Sequence, residues 1–370
     1  MQNKDVIIVP FHLAWDRLAD YQRQTCIELA KHQVVIAYLN NDARFIGKSK
    51  PVRPHSKQRN VIFYQPTYPF PFRRFMVIER LNQLINLIYV AWRYGKGVHR
   101  VILWIFDPVF YLFPVLSGFY SQCISLYDCV DYLWNKNLRL TRTMRSFEKR
   151  LIRRSTYFFV NSQSLRAMYR TVRPPTAVVP QGFRLHEFSG AHRTLIHFPK
   201  DRPIVGFVGT LDERVDFRLL YRLVLFHPEW LFVLWGPIMV TTESSSRFVS
   251  HIVMAANVRH GNSPPTFLPG IIAQFTVGII PYDTRNPLVR YSYPMKLFEY
   301  FYEKKPVVSS PIKELVHHMP PVFVARTVRQ WHIALSNAVK NPTSFDGEKC
   351  RESAVRNSWE NKVRAIYSYL

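Results

Sequence analysis

Acidic residues are few, 25 against 50 Lys and Arg, and glycine is scarcer still at 13. The low glycine count excludes collagen-like and glycine-linker chains. Only 20% of residues are charged while 48% are hydrophobic, which excludes a disordered polyelectrolyte and implies packed cores. The four cysteines, Cys26, Cys123, Cys129 and Cys350, form no C-x-x-C pair, and no histidine cluster supplies the other ligands of a zinc site. They are expected as buried, reduced thiols. No Asp-x-Asp occurs, so a metal-bridged diphosphate site of the usual carboxylate kind is not expected. No G-x-S-x-G elbow supports a Ser-His-Asp hydrolase. Internal repeats and low-complexity tracts are also missing.

What is present is length, apolar runs and positive charge. At roughly 150 residues per domain, 370 residues suggest two domains. Runs at Val6 to Val9, Val34 to Tyr38, Val61 to Tyr64, Val101 to Phe106, Cys123 to Tyr127, Tyr157 to Val160 and Ala177 to Val179 read as buried strands between helical patterns. The alternation restarts at Ile204 to Val208, Leu231 to Leu234, Val277 to Ile280, Val307 to Ser309 and Val322 to Val324. Two open, parallel, Rossmann-like α/β sheets are expected, with a joint near Arg173-Pro174-Pro175 and Pro180-Gln181-Gly182 and a cleft between them. The opening run is too short for a signal-peptide core and reads as the first strand. The uncharged stretch between Asp107 and Asp128 is broken by Pro108, Pro114 and Gly118, so strand, helix and strand are expected there rather than a membrane span.

Two thirds of the excess charge falls in residues 1–180, with 27 basic against 10 acidic. Residues 72–93 place Leu81, Leu84, Ile85, Ile88 and Trp92 at helical spacing among Arg73, Arg74, Arg80 and Arg93, which predicts a basic amphipathic helix. Residues 139–154 predict a second, striped by Met144, Phe147 and Leu151. Phe70, Phe72, Phe75 and Met76 beside these arginines suit an anionic membrane surface. Zinc-finger, RRM and KH signatures are missing, so nucleic acid is not an expected partner.

Three segments could form one pocket rim at strand ends. In Tyr293-Pro-Met-Lys-Leu-Phe-Glu-Tyr300, Pro294 suits the first helical position, capped by Ser292 or Tyr293. The N–H groups of Met295 and Lys296 would then meet phosphate, Lys296 would add charge, and Glu299 would accept ribose hydroxyls. In Ile204-Val-Gly-Phe-Val-Gly-Thr-Leu-Asp-Glu-Arg214, Gly209 admits close approach of a ligand and Arg214 suits a diphosphate. Phe232-Val-Leu-Trp-Gly-Pro237 ends at Gly236 on the same edge. In the first half, His12, Trp15, Asp16, Asp107, Asp128 and Asp131 follow strands; Asp107, His12 and Asp128 are the catalytic candidates, as general base or hydroxyl-orienting groups.

Taken in order, these strings resemble the group 1 (family 4-like) GT-B glycosyltransferases. The likeness spans Trp15-Asp16, Trp104-Ile-Phe-Asp-Pro108, Tyr127-Asp-Cys-Val-Asp131, Val179-Pro-Gln-Gly182, Val208-Gly-Thr-Leu-Asp-Glu-Arg214, Val277-Gly-Ile-Ile-Pro281, the Pro294 to Glu299 motif and Asn357-Ser-Trp-Glu360. It is most similar to teichuronic-acid and exopolysaccharide enzymes. The resemblance implies a GT-B fold with an acceptor-side domain at 1–182, a nucleotide-sugar domain at 183–352 and a last helix, about 353–370, crossing back. It further implies retaining, metal-independent transfer without a cofactor, from a nucleotide diphosphate sugar to a polyprenyl-linked or polysaccharide acceptor, at the cytoplasmic face of the membrane with the protein peripherally bound. Gly209, Thr210, Arg214, Gly236, Tyr293, Lys296, Leu297 and Glu299 would hold the donor. Tyr291 stands where many members carry a glutamate on the donor sugar, and Tyr293, Thr276, Thr210 and Lys304 also depart from the usual residues. These departures raise a second expectation, a catalytically weakened GT-B scaffold in a polysaccharide assembly complex.

Overall fold

A computed structural model describes residues 5–12, 15, 20–40, 44–45, 60–72, 75–133, 138–193, 196–341 and 345–370. The chain divides into two compact units, residues 1–180 with 362–370, and residues 181–361. Unit 1 carries strands β1 (Val6–Phe11), β2 (Val34–Leu39), β3 (Val61–Tyr64), β4 (Val101–Ile105), β5 (Cys123–Cys129), β6 (Tyr157–Val160) and β7 (Ala177–Val178). Unit 2 carries β8 (Ile204–Val208), β9 (Leu231–Trp235), β10 (Val258–Gly261), β11 (Val277–Ile280), β12 (Val307–Ser309) and β13 (Phe323–Val324). The seven-stranded sheet has the order β3-β2-β1-β4-β5-β6-β7 and the six-stranded sheet β10-β9-β8-β11-β12-β13, with every named pairing parallel. Each is a doubly wound order that reverses direction beside its first strand, where the loops at the strand C-termini diverge and leave room for a ligand. β1, β4, β8 and β9 are buried along their whole length, as expected of β-branched and aliphatic runs covered by helices on both faces.

The helices that frame the argument are α1 (Asp20–Leu29), α2 (Met76–Tyr94), α3 (Leu138–Arg154), α4 (Gln163–Tyr169), α5 (Phe217–Phe226), α6 (Glu243–Met254), α7 (Leu268–Ile272), α8 (Lys296–Tyr302), α9 (Val328–Lys340), α10 (Gly347–Arg356) and α11 (Trp359–Tyr367). Three differences from the sequence reading have physical causes. β10 was not expected, because Val-Arg-His-Gly is an edge strand whose two middle side chains face solvent. The expected single helix 353–370 breaks at Asn357 and Ser358, where Asn357 turns its amide back onto the Ser353 carbonyl at 2.7 Å. β5 runs two residues past the expected end, pairing Asp128 with Phe159 and Cys129 with Val160, so Asp128 lies in the sheet and not in a loop.

The stretch after Asp107 forms short turns at Pro108–Phe110 and Phe113–Val115 and a four-residue helix, Leu116–Phe119. Among the described residues no helix is long and apolar enough to cross a membrane. All four cysteines are free and buried.

Helix α2 is built the wrong way round for an ordinary surface helix. Its buried side carries Asn82, Gln83, Asn86, Leu87, Val90 and Ala91. Asn82 exchanges two hydrogen bonds with the backbone of Phe70, at 3.1 and 3.0 Å, and Asn86 accepts from Thr67 N–H at 3.0 Å and from the Tyr64 hydroxyl at 2.7 Å. These amides stand in for a neighbouring strand, which is how a polar face can be buried without loss. The apolar stripe is therefore turned outward, with Leu81, Ile85, Ile88 and Trp92 all exposed. Arg73 and Arg74 lie outside the described residues.

Candidate functional site

In unit 2 the strand ends bring three of the expected donor residues together. Gly209 ends β8 with φ +119° and Gly236 ends β9 with φ +146°, conformations that side-chain-bearing residues rarely adopt. A Cβ on Gly236 would fall 2.3 Å from the Gly209 carbonyl oxygen, so only glycine allows the two backbones to meet. Directly facing Gly209 is Lys296: a Cβ placed on that glycine would lie 3.2 Å from its Nζ. The Lys296 ammonium is buried, 4.5 Å from the centre of the Phe207 ring and 4.4 Å from that of Tyr282, and it donates to the Tyr282 hydroxyl. No carboxylate among the described residues pairs with it. A buried cation with neutral partners only is costly unless an anion joins it.

Tyr282, not singled out in the sequence, organises this cluster. Its segment is fixed by bonds from Asp216 N–H to the Pro281 carbonyl and from Asp283 N–H to the Arg214 carbonyl, both 2.8 Å. Arg214 lies 5.9 Å from its ring centre, yet the guanidinium is held in a fork by Asp212, with Nε at 2.9 Å and Nη2 at 2.8 Å. Its expected diphosphate role would require that fork to open or be shared. Thr210 follows Gly209, half-buried, on the same edge.

Three other donor expectations meet different surroundings. Leu297 is fully buried in the core of unit 2, so its side chain packs the helix and does not face a ligand. Tyr293 shares a hydrogen bond of 2.9 Å with His318 Nε2 and packs against Phe298, and burial raises its pKa. Glu299 is buried beside Arg184, whose Nη2 stands 3.3 Å from Oε1 and whose Nε stands 3.1 Å from Glu187. Arg184 was missed, although a cation just past the Gln181-Gly182 joint is a visible signal. The side-chain cap expected before α8 does not form: Met295 occupies the cap position with helical backbone angles and contributes no side-chain bond.

In unit 1, Asp128 does not serve as a catalytic group. It is fully buried, its Oδ1 is 3.2 Å from Lys362 Nζ in α11, and its Oδ2 accepts from Trp104 Nε1 at 3.3 Å. It anchors the C-terminal helix to the sheet. Asp107 remains accessible at the end of β4: it caps the turn at Pro108–Phe110 by accepting from Val109 N–H at 2.9 Å. Burial pushes its pKa up, against the Val109 hydrogen bond and the charges of His12 and Arg80. His12 is exposed just beyond β1, Asp131 is exposed beyond β5, and Asp16 lies outside the described residues.

With this geometry in hand, known proteins can be set beside it. No protein-family model matches the chain. Over 99% of its length it superposes on sucrose-phosphate synthase from Thermosynechococcus elongatus, covering 98% of that chain, with a TM-score of 0.73 and 16% identity. The chain has the GT-B fold. A second GT-B structure, a UDP-forming trehalose-phosphate synthase from Burkholderia xenovorans, superposes with a TM-score of 0.68 over 98% of this chain and 99% of the other at 12% identity. In sequence, the chain is 27% identical to a protein of Bacillus subtilis (strain 168) named as the teichuronic acid biosynthesis glycosyltransferase TuaH, across 81% of this chain and 79% of that one. The resemblance to GT-B glycosyltransferases read from the motifs is thus matched by both structure and sequence relatives, and the comparisons support a glycosyltransferase.

Proposed function

We propose that the protein transfers a sugar from a nucleotide diphosphate donor, held by unit 2, to a lipid-linked or polysaccharide acceptor held by unit 1, working as a peripheral protein at the cytoplasmic face of the membrane. The observation that carries the donor half is the buried Lys296 ammonium facing Gly209 without an acidic partner. A pyrophosphate there would supply the missing charge, and the glycine backbone would let it approach closely. Glu299 would take the ribose hydroxyls beside Arg184, and Arg214 would assist on the outer phosphate side. Asp107 is the favoured acceptor-side group, as base or hydroxyl orienter, with His12 near enough to shape its charge. The retaining outcome and independence from metal belong to this proposal through the resemblance. The acceptor half leans on the outward apolar stripe of α2 with Arg93 and Lys96 at its C-terminal end.

Binding of UDP, GDP and ADP, followed by thermal midpoint and calorimetry, tests the donor half. A ligand at about 100 times its Kd stabilises by about 2.7 kcal/mol. One of the three should raise the midpoint of the wild type, and Lys296→Met should weaken that ligand at least tenfold. No response to any of them defeats the proposal. Nucleotide binding with no hydrolysis or transfer of the matching donor sugar would instead favour the scaffold reading, in which Tyr291, held near Lys313 at 3.3 Å, has replaced a sugar-binding acid.

A further inference from the structure

Unit 2 contains a second concavity, of about 310 Å³, which shares Tyr282 with the Lys296 cluster but none of Gly209, Arg214, Gly236, Lys296 or Glu299. It opens at the C-terminal ends of β11, β12 and β13 and is walled by the first turns of α5 and α9. Arg218 and Arg222 of α5 and Arg326 before α9 converge on it. The two nearby acids are already engaged. Asp216 caps α5 by accepting from Leu219 N–H at 3.0 Å, and Asp283 holds Arg285 at 2.8 Å. Among the described residues, the side chains of Arg218, Arg222 and Arg326 have no hydrogen bond or ion pair.

This arrangement opposes the stability of the free protein. Arg218 stands in the first turn of α5 and Arg326 adjoins Thr327, the cap of α9, so both cations sit at the positive ends of helix dipoles. Arg218 and Arg222, four apart on one helix, repel each other. Ser310, only 4% exposed, lines the same hollow; its N–H is bonded to the Ile280 carbonyl at 3.0 Å, while its hydroxyl has no protein partner. Three uncompensated guanidinium groups and a buried free hydroxyl match the acceptor oxygens of a phosphate, which each guanidinium can engage in a two-bonded fork.

We infer that this concavity is a second anion site of the nucleotide-binding unit, taking a phosphate-bearing ligand. The ligand is either a soluble phosphorylated small molecule or a phospholipid headgroup. The test uses the full chain, wild type and Lys296→Met, against an Arg218→Gln/Arg222→Gln/Arg326→Gln variant. In calorimetric titrations with sodium pyrophosphate at physiological salt, wild type and Lys296→Met should both bind, and the triple variant should bind at least tenfold more weakly. Loss of pyrophosphate binding in the triple variant assigns a soluble ligand. Loss confined to phosphatidylcholine vesicles carrying phosphatidylglycerol, with pyrophosphate binding weak in every protein, assigns a headgroup. Equal binding by wild type and triple variant in both assays overturns the site, as does pyrophosphate binding that vanishes with Lys296→Met alone. The three arginines are exposed, so the triple variant should melt no lower than wild type, and its own unfolding curve separates lost binding from lost fold.

Discussion

Replacing the outward face of α2 is the most direct check on membrane association. Val77, Ile88 and Trp92 are 78%, 56% and 57% exposed, and Leu81 projects from the same face at 44%. Fully burying such a side chain is worth about 1.5–3 kcal/mol, so covering the exposed half yields roughly 1 kcal/mol each. Removing all four as Val77→Ser, Leu81→Ser, Ile88→Ser and Trp92→Ser should cost about 4 kcal/mol of membrane affinity, near a thousandfold in partitioning at about 1.4 kcal/mol per decade. The electrostatic share behaves differently. Arg93 and Lys96, the latter 4.2 Å over the Trp92 ring, should add about 1 kcal/mol each near an anionic surface, and that share fades as salt shortens the Debye length. Co-sedimentation with phosphatidylglycerol-containing vesicles at low and high salt separates the two. The serine variant should lose binding at both, and Arg93→Gln with Lys96→Gln mainly at low salt. None of the four serines removes a buried contact, so the melting midpoint should hold. A serine variant that sediments like the wild type refutes the membrane role of α2.

Two further perturbations probe the buried charges of unit 1. Asp128→Asn leaves the Lys362 ammonium buried and uncompensated and should destabilise by about 3–5 kcal/mol in denaturant unfolding, whereas Asp128→Leu combined with Lys362→Met should recover most of it; a stable but inactive Asp128→Asn protein would restore a catalytic role. Glu148 accepts from Tyr127 and Tyr169 at 2.7 and 2.8 Å, yet burial pushes its pKa up to about 7 from 4.5. The native state therefore keeps this proton longer than the unfolded chain, so stability is greatest below pH 4.5 and declines as pH rises to about 7, by roughly 3 kcal/mol at about 1.4 per unit. Glu148→Gln should flatten that decline, and an unaltered slope between wild type and variant would show that the proton sits elsewhere.

The fold was legible because its signal is local. Ile204 to Val208 or Val101 to Ile105 reads as a buried parallel strand from β-branched composition and flanking punctuation alone. β10 was illegible for the same reason: Arg259 and His260 face solvent, so a short edge strand leaves no apolar run to find. At the site, Gly209, Gly236 and Lys296 were legible because strand-end glycines and a cation at a helix start carry their meaning in sequence. Tyr282 and Arg184 were not, because each acquires its place from a residue far along the chain, Lys296 and Glu299 respectively.

The misreadings of Asp128 and α2 share one cause. Sequence shows that a group is polar and roughly where it falls, but not whether a distant partner already satisfies it. Asp128 looks like a strand-end acid until Lys362, 234 positions later, closes on it. The apolar stripe of α2 looks like a core face until Asn82 and Asn86 claim the backbone of residues 67–70. Buried polar groups must be paired, so the useful question for each candidate is what remains unpaired once the fold has formed. By that criterion Arg214, with Asp212, and Tyr293, with His318, are already served inside the protein, and Glu299 is partly served by Arg184. Lys296 meets only a phenol and two ring faces, which leaves its charge for a ligand. The donor contact that should dominate affinity is therefore the ammonium at Gly209, and the ribose contact at Glu299 should be the weaker, because every hydrogen bond it gives a ribose competes with the guanidinium beside it.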